Sequence, residues 1–165
     1  MKFIAALTLT LSLLCPNVGS AQARLNEHDV QFLEQAAQTS MLEIQAGQLA
    51  LQSTTDDGVK QYAQLILIEQ EKIAGDLQGL ASTHEVKLPT ELDGKSLAIL
   101  TELQQVQGAE FDRRYIDEVA VGAHEEAVRR FKTISDETQN QDISAFAKQS
   151  LPMLQQHLDR AHAIR

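Results

Sequence analysis

Apolar residues recur along most of the chain every three to four positions, a spacing typical of amphipathic α-helices. In one stretch, Val59, Ile66, Ile73 and Leu80 lie seven residues apart and therefore share one face of a helix. The alternation of apolar and polar residues that is typical of strands is rare. The pattern predicts an all-α protein with four long helices and one short helix.

Breaks in this pattern mark the predicted helix ends. Long helices are expected at about 27–53, 57–83, 109–137 and 142–163, and a short helix at about 96–107. Asn26 is a suitable N-cap for the first helix, because its side chain can accept from backbone N–H groups that a helix start leaves unpaired. Pro152 lies inside the fourth helix and is expected to kink it.

The lengths of the connections predict the topology. The turns within the first pair and within the last pair of long helices are short, so each pair should form an antiparallel hairpin. About 25 residues join the two hairpins, enough to follow a helix of about 40 Å from end to end. One long crossover between two hairpins is the ferritin-like four-helix arrangement, with the short extra helix on the crossover. An up-down-up-down bundle is the alternative.

The first 23 residues have the pattern of a cleavable signal peptide. A basic residue, Lys2, precedes an apolar run at 3–14 that is too short to span a bilayer. Ala21-Gln22-Ala23 is a small-x-small cleavage site, with cleavage after Ala21 as the alternative. The chain is thus divided into a signal peptide, residues 1–23, and one bundle domain, residues 24–165. This organisation predicts a periplasmic or secreted protein, without cysteine once Cys15 is removed.

Charge narrows the classes of partner. The chain has 14 Lys and Arg against 23 Asp and Glu, a net charge of -9, and loss of Lys2 with the signal gives 13 − 23 = -10. No basic cluster is present, which excludes a nucleic-acid footprint and a polybasic membrane patch. No second long apolar run occurs, so no transmembrane segment is expected in the mature chain. Of the classes of partner considered, an unknown protein is the one still open. The sequence does not determine the oligomeric state.

Each long helix carries one polar residue on or beside its apolar face: Glu43, Gln70, His124 and His157. Counted from the connecting turns at about 1.5 Å per residue, the first three lie near mid-bundle and the last lies about one turn away. Asp117, seven residues before His124, falls on the same helical line. Glu69 lies at the edge of the second helix's apolar face. The sequence therefore predicts a polar cluster inside the bundle.

Two interpretations of this cluster are open. In one, Gln70, Asp117, His124 and His157 form a buried hydrogen-bond network. In the other, Glu43, His124 and His157 bind a divalent metal, because carboxylate and imidazole are ordinary ligands of zinc and iron. The inward faces lack the Glu-x-x-His motif of di-iron bundles, and an amide such as that of Gln70 is a poor ligand. The predicted cofactor is thus either none or a divalent metal.

Other side chains offer less chemistry. Three histidines fall on polar faces and are expected to be exposed: His28, His84 and His162. Phe111 and Tyr115 face away from the main apolar face of the third helix and are expected to pack under the crossover helix. No nucleophile elbow, phosphate loop or dinucleotide fingerprint occurs, which favours a protein that is not an enzyme.

Three segments carry a resemblance to a known family: "FLEQAAQTSMLEIQAGQLA", "FDRRYIDEVAVGAHEEAVRRF" and "FAKQSLPMLQQHLDRA". Together they resemble the secreted ferritin-like bundle proteins of bacteria grouped as domain-of-unknown-function family 4142. The resemblance covers about 26–163 and implies a four-helix bundle behind a signal peptide, in the periplasm or at the outer membrane, with no established activity. Four positions match the family in residue type: Glu43, His124, Pro152 and His157. The family usually has Asp-His where this chain has Glu69-Gln70, so Gln70 replaces a histidine of ligand type.

Three hypotheses of function follow. The first is a non-catalytic periplasmic or secreted bundle that acts through its acidic surface on a partner, or in envelope stress tolerance. The alternative is a metal-binding or redox protein with a degenerate ferritin-like site in the bundle core. The third, an outer-membrane-associated factor, rests on the family resemblance alone.

Overall fold

The computed structural model describes residues 25–165, and within this range the chain is helical, with no strand. Its helices in chain order are α1 (Glu27–Ser53), α2 (Asp57–Thr83), α3 (Gly94–Leu103), α4 (Gly108–Arg114), a π-helical segment (Tyr115–Ala123), α5 (His124–Glu137) and α6 (Gln141–Ala163). Helix α4, the π segment and α5 follow one another without a break and form one long helix, called the composite helix below. The predicted signal peptide and its cleavage site lie outside the described residues.

The predicted bounds of the first two long helices are confirmed, and α6 begins one residue earlier than expected. The short helix occupies Gly94–Leu103 rather than 96–107. The third long helix has the expected extent, but the π segment in its middle was not predicted. Helix α6 continues through Pro152 to Ala163 without ending there.

Side-chain caps begin four of the helices. Asn26 Oδ1 accepts from the backbone N–H of Asp29 at 2.9 Å, which confirms the predicted cap of α1. Asp56, Asp93 and Asn140 cap α2, α3 and α6 in the same way. Each cap satisfies a backbone donor that the helix itself leaves unpaired, so the helix starts are encoded locally.

Contacts between helix ends fix the directions of the helices. Thr138, just after α5, donates to Asp29 Oδ1 near the start of α1, at 2.6 Å. His84, at the end of α2, lies with Nε2 3.1 Å from Oδ2 of Asp142 near the start of α6. The composite helix is therefore antiparallel to α1, and α6 is antiparallel to α2. His84 was expected to be exposed; its side chain is only 2% exposed, because it packs into this junction of helix ends.

Helix α2 and the composite helix run in the same direction. Tyr62, in the first half of α2, donates to the carbonyl of Ala120 in the first half of the composite helix, at 3.3 Å. The connection between them, which carries α3, must therefore return along the bundle. Helix α3 packs against α1, and Leu100 and Leu103 share a buried cluster with Phe111 and Tyr115, as expected.

A second apolar cluster fills the other end of the bundle. Its centre is an aromatic layer of three edge-to-face or tilted rings: Phe32, Phe131 and Phe146, with centroids 4.9 to 6.3 Å apart. Ile73 and Leu77 of α2 also belong to this cluster. Between residues 25 and 165, none of the helices combines the length and apolar character needed to cross a membrane.

Candidate functional site

A row of polar side chains crosses the interior of the bundle. Glu43 of α1, Gln70 of α2, His124 of α5 and His157 of α6 are each at most 1% exposed. The structure thus brings together the four inward polar residues that the sequence places on the four long helices. Each is held by a rigid helix, so their mutual geometry is set by helix packing rather than by loops.

The row is a continuous series of short contacts. Gln70 Nε2 donates to Glu43 Oε2. Glu43 Oε1 lies 3.3 Å from Nδ1 of His124, and Nε2 of His124 lies 3.2 Å from Nδ1 of His157. Nε2 of His157 lies 2.5 Å from Oε2 of Glu69. These five residues, together with Ser40, are called the polar row below.

Ser40 and Glu69 form the two ends of the polar row. Ser40 of α1 donates from its buried hydroxyl to Oε1 of Gln70 at 3.1 Å. The side chain of Glu69 is 29% exposed, so the row reaches solvent at this end. Sequence reasoning placed Glu69 only at the edge of an apolar face. This edge position is the sequence feature that could have identified Glu69, because a carboxylate there can contact a buried imidazole and also reach water.

Asp117 does not belong to the polar row. Its side chain is 36% exposed and forms ion pairs with Arg113 at 3.7 Å and Arg165 at 3.1 Å. The prediction assumed seven residues for two α-helical turns between Asp117 and His124. The intervening π segment has i→i+5 hydrogen bonds and turns less per residue, which rotates Asp117 to the surface. The predicted inclusion of Asp117 in the network is therefore wrong.

Gly122 is the sequence position most closely tied to the π segment. A Cβ atom at this residue would lie 3.0 Å from the carbonyl oxygen of Asp117, five residues earlier. That approach is closer than ordinary contacts allow, so glycine fits the crowded backbone of the segment. A glycine inside a helical pattern is the only local hint of the irregularity.

Two tyrosines lie near the Glu43 end of the polar row. The hydroxyl of Tyr62, which donates to Ala120, is also 3.5 Å from Nδ1 of His124. Tyr115 is fully buried, and its hydroxyl has no hydrogen-bond partner within the described residues. Glu43 Oε1, likewise, receives no hydrogen bond when treated as an acceptor. In the part of the chain that the structure describes, three buried side-chain oxygens thus lack a hydrogen-bond partner: these two and Oδ1 of Asp112.

Burial sets the protonation of the row. It raises the pKa of the Glu43 carboxyl well above 4.5 and, with the neighbouring His157, lowers the pKa of His124 to about 3. Burial also lowers the pKa of His157, although its hydrogen bond to Glu69 acts in the opposite direction. Removal from water penalises the charged form of every one of these groups. Both imidazoles are therefore neutral near pH 7.

The proposed metal ligands do not converge on one point in this arrangement. Glu43 lies against Nδ1 of His124 and His157 against Nε2, on opposite edges of the ring. Zinc requires ligand atoms at about 2.0–2.1 Å from a single centre. Across residues 25–165, no group of three or more His, Cys, Asp and Glu side chains is arranged to hold an ion. Metal binding by Glu43, His124 and His157 requires rotation of the His124 ring and stays a prediction.

The chemistry available to the row is proton exchange and internal hydrogen bonding. Four of its side chains are sealed from solvent, so a substrate cannot reach them without opening the bundle. Their donors and acceptors face one another across the helices, which fixes the register in which the four helices pack.

Comparison with known proteins gives a single family. A search of curated proteins found no match, and neither did a search of solved structures. Residues 16–164 match the family model described as Domain of unknown function (DUF4142). The match spans nearly the whole chain, and the protein therefore belongs to the DUF4142 family, as the resemblance of its helices indicated.

Proposed function

We propose that the protein is a periplasmic or secreted bundle of ferritin-like arrangement that acts without catalysis, by binding a protein partner through its acidic surface. The observation that carries the proposal is that the buried residues of the polar row form hydrogen bonds with one another. Glu43, Gln70, His124 and His157 are buried and contact one another, so no substrate or partner reaches them, and binding is left to the surface.

The ferritin-like arrangement is supported by the helix directions. Helix α1 is antiparallel to the composite helix, α2 is antiparallel to α6, and α2 and the composite helix run in the same direction. An up-down-up-down bundle would place α2 and the composite helix antiparallel. Two hairpins joined by one long crossover give the observed directions.

The amino-terminal sequence supports the proposed compartment. A basic residue, an apolar run and a small-x-small site predict export and cleavage before Arg24. Fractionation of the native host with amino-terminal sequencing tests this directly. A mature protein that starts at Arg24 in the soluble periplasm supports the proposal, whereas recovery only with outer membranes supports the membrane-associated alternative.

An acidic surface points to a basic partner. The mature net charge of 13 − 23 = -10 favours encounter with positively charged surfaces, and salt should weaken that encounter. Four exposed acids on three helices are suitable for neutralisation to glutamine: Glu34, Glu71, Glu125 and Glu137. The matched control changes four exposed glutamines to alanine and leaves the charge intact: Gln31, Gln78, Gln155 and Gln156.

The experiment is in-cell cross-linking of the wild-type protein and both variants, with thermal melts to confirm that each variant folds. The proposal expects one saturable cross-linked complex that is lost in the neutralised variant, weakened by salt and kept in the control. A complex of equal yield in all three proteins, or none under any growth condition, would contradict it.

We further propose that the mature protein holds no metal in its core, because Glu43 and His157 occupy opposite nitrogens of His124. Elemental analysis of protein purified without a histidine tag tests this. One tightly bound divalent ion per chain, lost in His124→Ala, would instead establish the metal-binding or redox alternative.

A further inference from the structure

Every contact in the polar row needs one donor, and this requirement restricts where the protons lie. Glu69 is the one carboxylate of the row that reaches solvent, so a negative charge is best placed there. His157 then donates from Nε2 to Glu69, across 2.5 Å. A neutral imidazole with its proton on Nε2 has an acceptor at Nδ1.

The donors of the next two contacts, His124 with His157 and Glu43 with His124, can be assigned in the same way. Nδ1 of His157 accepts from Nε2 of His124, 3.2 Å away. His124 is then also protonated on Nε2, and its Nδ1 is an acceptor 3.3 Å from Oε1 of Glu43. The other hydroxyl near this nitrogen, that of Tyr62 at 3.5 Å, already donates to the carbonyl of Ala120, so the donor to Nδ1 is a protonated Glu43 carboxyl. With its proton on Oε1, the oxygen that otherwise has no partner becomes a donor to His124.

The far end of the row agrees with this direction. Gln70 donates from its amide to the other oxygen of Glu43 and accepts from the Ser40 hydroxyl through Oε1. The opposite tautomer of His124 would leave its Nε2 and the Nδ1 of His157 facing each other at 3.2 Å as two acceptors with no proton between them. One direction of donation, from Ser40 to Glu69, therefore satisfies every contact in the row.

We propose that the polar row is a proton path through the bundle, which links the buried carboxyl of Glu43 to solvent at Glu69. Transfer along it is balanced. The O–H bond of Glu43 breaks as Nδ1 of His124 gains the proton, Nε2 of His124 passes its proton to Nδ1 of His157, and Nε2 of His157 passes its proton to Glu69. Both imidazoles change tautomer and stay neutral, and the negative charge moves from Glu69 to Glu43.

The groups that face the path favour the charge at its outer end. Glu43 faces Tyr62 of α2, Tyr115 of the π segment and His124 of α5, none of which is cationic. His157 faces Glu69 and, on its own helix, the positive charge of Arg160. Oε1 of Glu43 is buried and lies 3.3 Å from Nδ1 of His124, so a proton on this oxygen supplies the hydrogen bond that it otherwise lacks. The resting path thus stores one proton at Glu43.

Nuclear magnetic resonance of the intact mature protein tests the resting arrangement. Imidazole ¹⁵N spectra report the tautomer of each ring, and the ¹³C shift of the Glu43 carboxyl reports its protonation. The proposal expects both His124 and His157 in the Nε2–H form and a protonated Glu43 at neutral pH. A proton on Nδ1 of His124, or an ionised Glu43, would overturn it.

Solvent exchange of the His124 Nε2 proton tests the path itself. In Glu69→Gln the amide oxygen can still accept from His157 but cannot take a proton, so exchange should slow by about tenfold or more. The matched control is Glu71→Gln, an exposed acid two residues along α2, which should leave the rate unchanged.

Backbone amide exchange at Gln70 and His124 separates the path from local opening of the bundle. These amide rates should be equal in wild type and Glu69→Gln. An unchanged imidazole rate in Glu69→Gln, or a parallel change of imidazole and amide rates, would overturn the proposal. Because Glu69 is partly exposed, this variant retains the buried contacts among Glu43, His124 and Gln70 and tests the path without altering the core.

Discussion

The aromatic layer and the buried part of the polar row share the helices α1, α5 and α6, yet they are held by different forces. Phe131 lies two turns from His124 on α5, and the three phenylalanine rings pack by area and shape. Any apolar group of similar volume would retain much of that stability. The polar row instead depends on partners, because each of its groups costs free energy unless the neighbouring helix supplies a matching donor or acceptor.

The comparison teaches that burial alone does not define a site. In the aromatic layer the neighbours of each residue need only be apolar and of suitable volume and shape. In the polar row, the protonation of one residue determines that of the next. Variants that remove one member, or two members together, should therefore behave differently in the two regions.

The largest expected effect is in the aromatic layer. Phe131→Ala should lower the free energy of unfolding by about 3–5 kcal/mol, because it removes buried area and leaves a cavity between Phe32 and Phe146. Denaturant unfolding followed by circular dichroism measures the change. Phe131→Leu is the control and should lose much less; an equal loss would mean that shape, rather than volume, governs this layer.

In the polar row, His124→Leu should lower the free energy of unfolding by about 2–3 kcal/mol, because Glu43 and His157 lose their partner. The double variant Glu43→Leu with His124→Leu should lose less than the sum of the two single variants. Denaturant melts of all four proteins give the coupling energy. Additive losses would show that Glu43 and His124 do not interact.

The dependence of stability on pH should separate Glu43 from the histidines. The pKa values of His124 and His157 are lowered by folding, so the unfolded chain binds more protons below about 6.5 and stability falls as the pH drops from there. The pKa of Glu43 is raised, so the folded chain holds an extra proton above 4.5 and stability falls as the pH rises.

The Glu43→Gln substitution removes the contribution of Glu43 to the pH dependence of stability and keeps that of the histidines. Above about pH 4.5 the wild type should lose stability relative to this variant as the pH rises, by up to about 1.4 kcal/mol for each pH unit, until Glu43 ionises in the folded state. Parallel denaturant melts across this range measure the difference. Parallel pH profiles for the two proteins would show that Glu43 is ionised when folded.

A smaller effect distinguishes the two kinds of helix. Gly75→Ala in α2 should raise the free energy of unfolding by about 0.5–1 kcal/mol, because the added methyl meets nothing within 4 Å and alanine favours helix. Gly122→Ala should give no gain, since its methyl would press on the Asp117 carbonyl at 3.0 Å. Thermal melts of the two variants measure the difference. An equal gain in stability at both sites would show that the methyl group at position 122 meets no steric barrier.

The smallest expected effect is that of metal ions. Melting temperatures with and without Zn²⁺, Fe²⁺ and Mn²⁺ should coincide, because an ion that does not bind the folded state cannot stabilise it. An increase in melting temperature that His157→Ala abolishes would contradict this. It would also make the polar row a metal centre and place Glu43, His124 and His157 among its ligands.

Much of the candidate site was predictable from single helices. Glu43, Gln70, His124 and His157 were identified because each interrupts a regular apolar face, and their heights follow from counting residues along rigid helices. Glu69 was left at an edge because its role depends on His157 of another helix, which no local pattern encodes. Asp117 was misplaced because the π segment changes the number of residues per turn.

By itself, the sequence determined the helices, their caps and the faces they bury, since periodicity and capping are properties of neighbouring residues. Tertiary structure alone decided which polar groups meet. The 2.5 Å contact of Glu69 with His157 depends on helix packing, and the position of Asp117 at the surface depends on the π segment of the folded chain. The direction of the hydrogen bonds along the polar row depends on which end reaches water, a property of the assembled bundle.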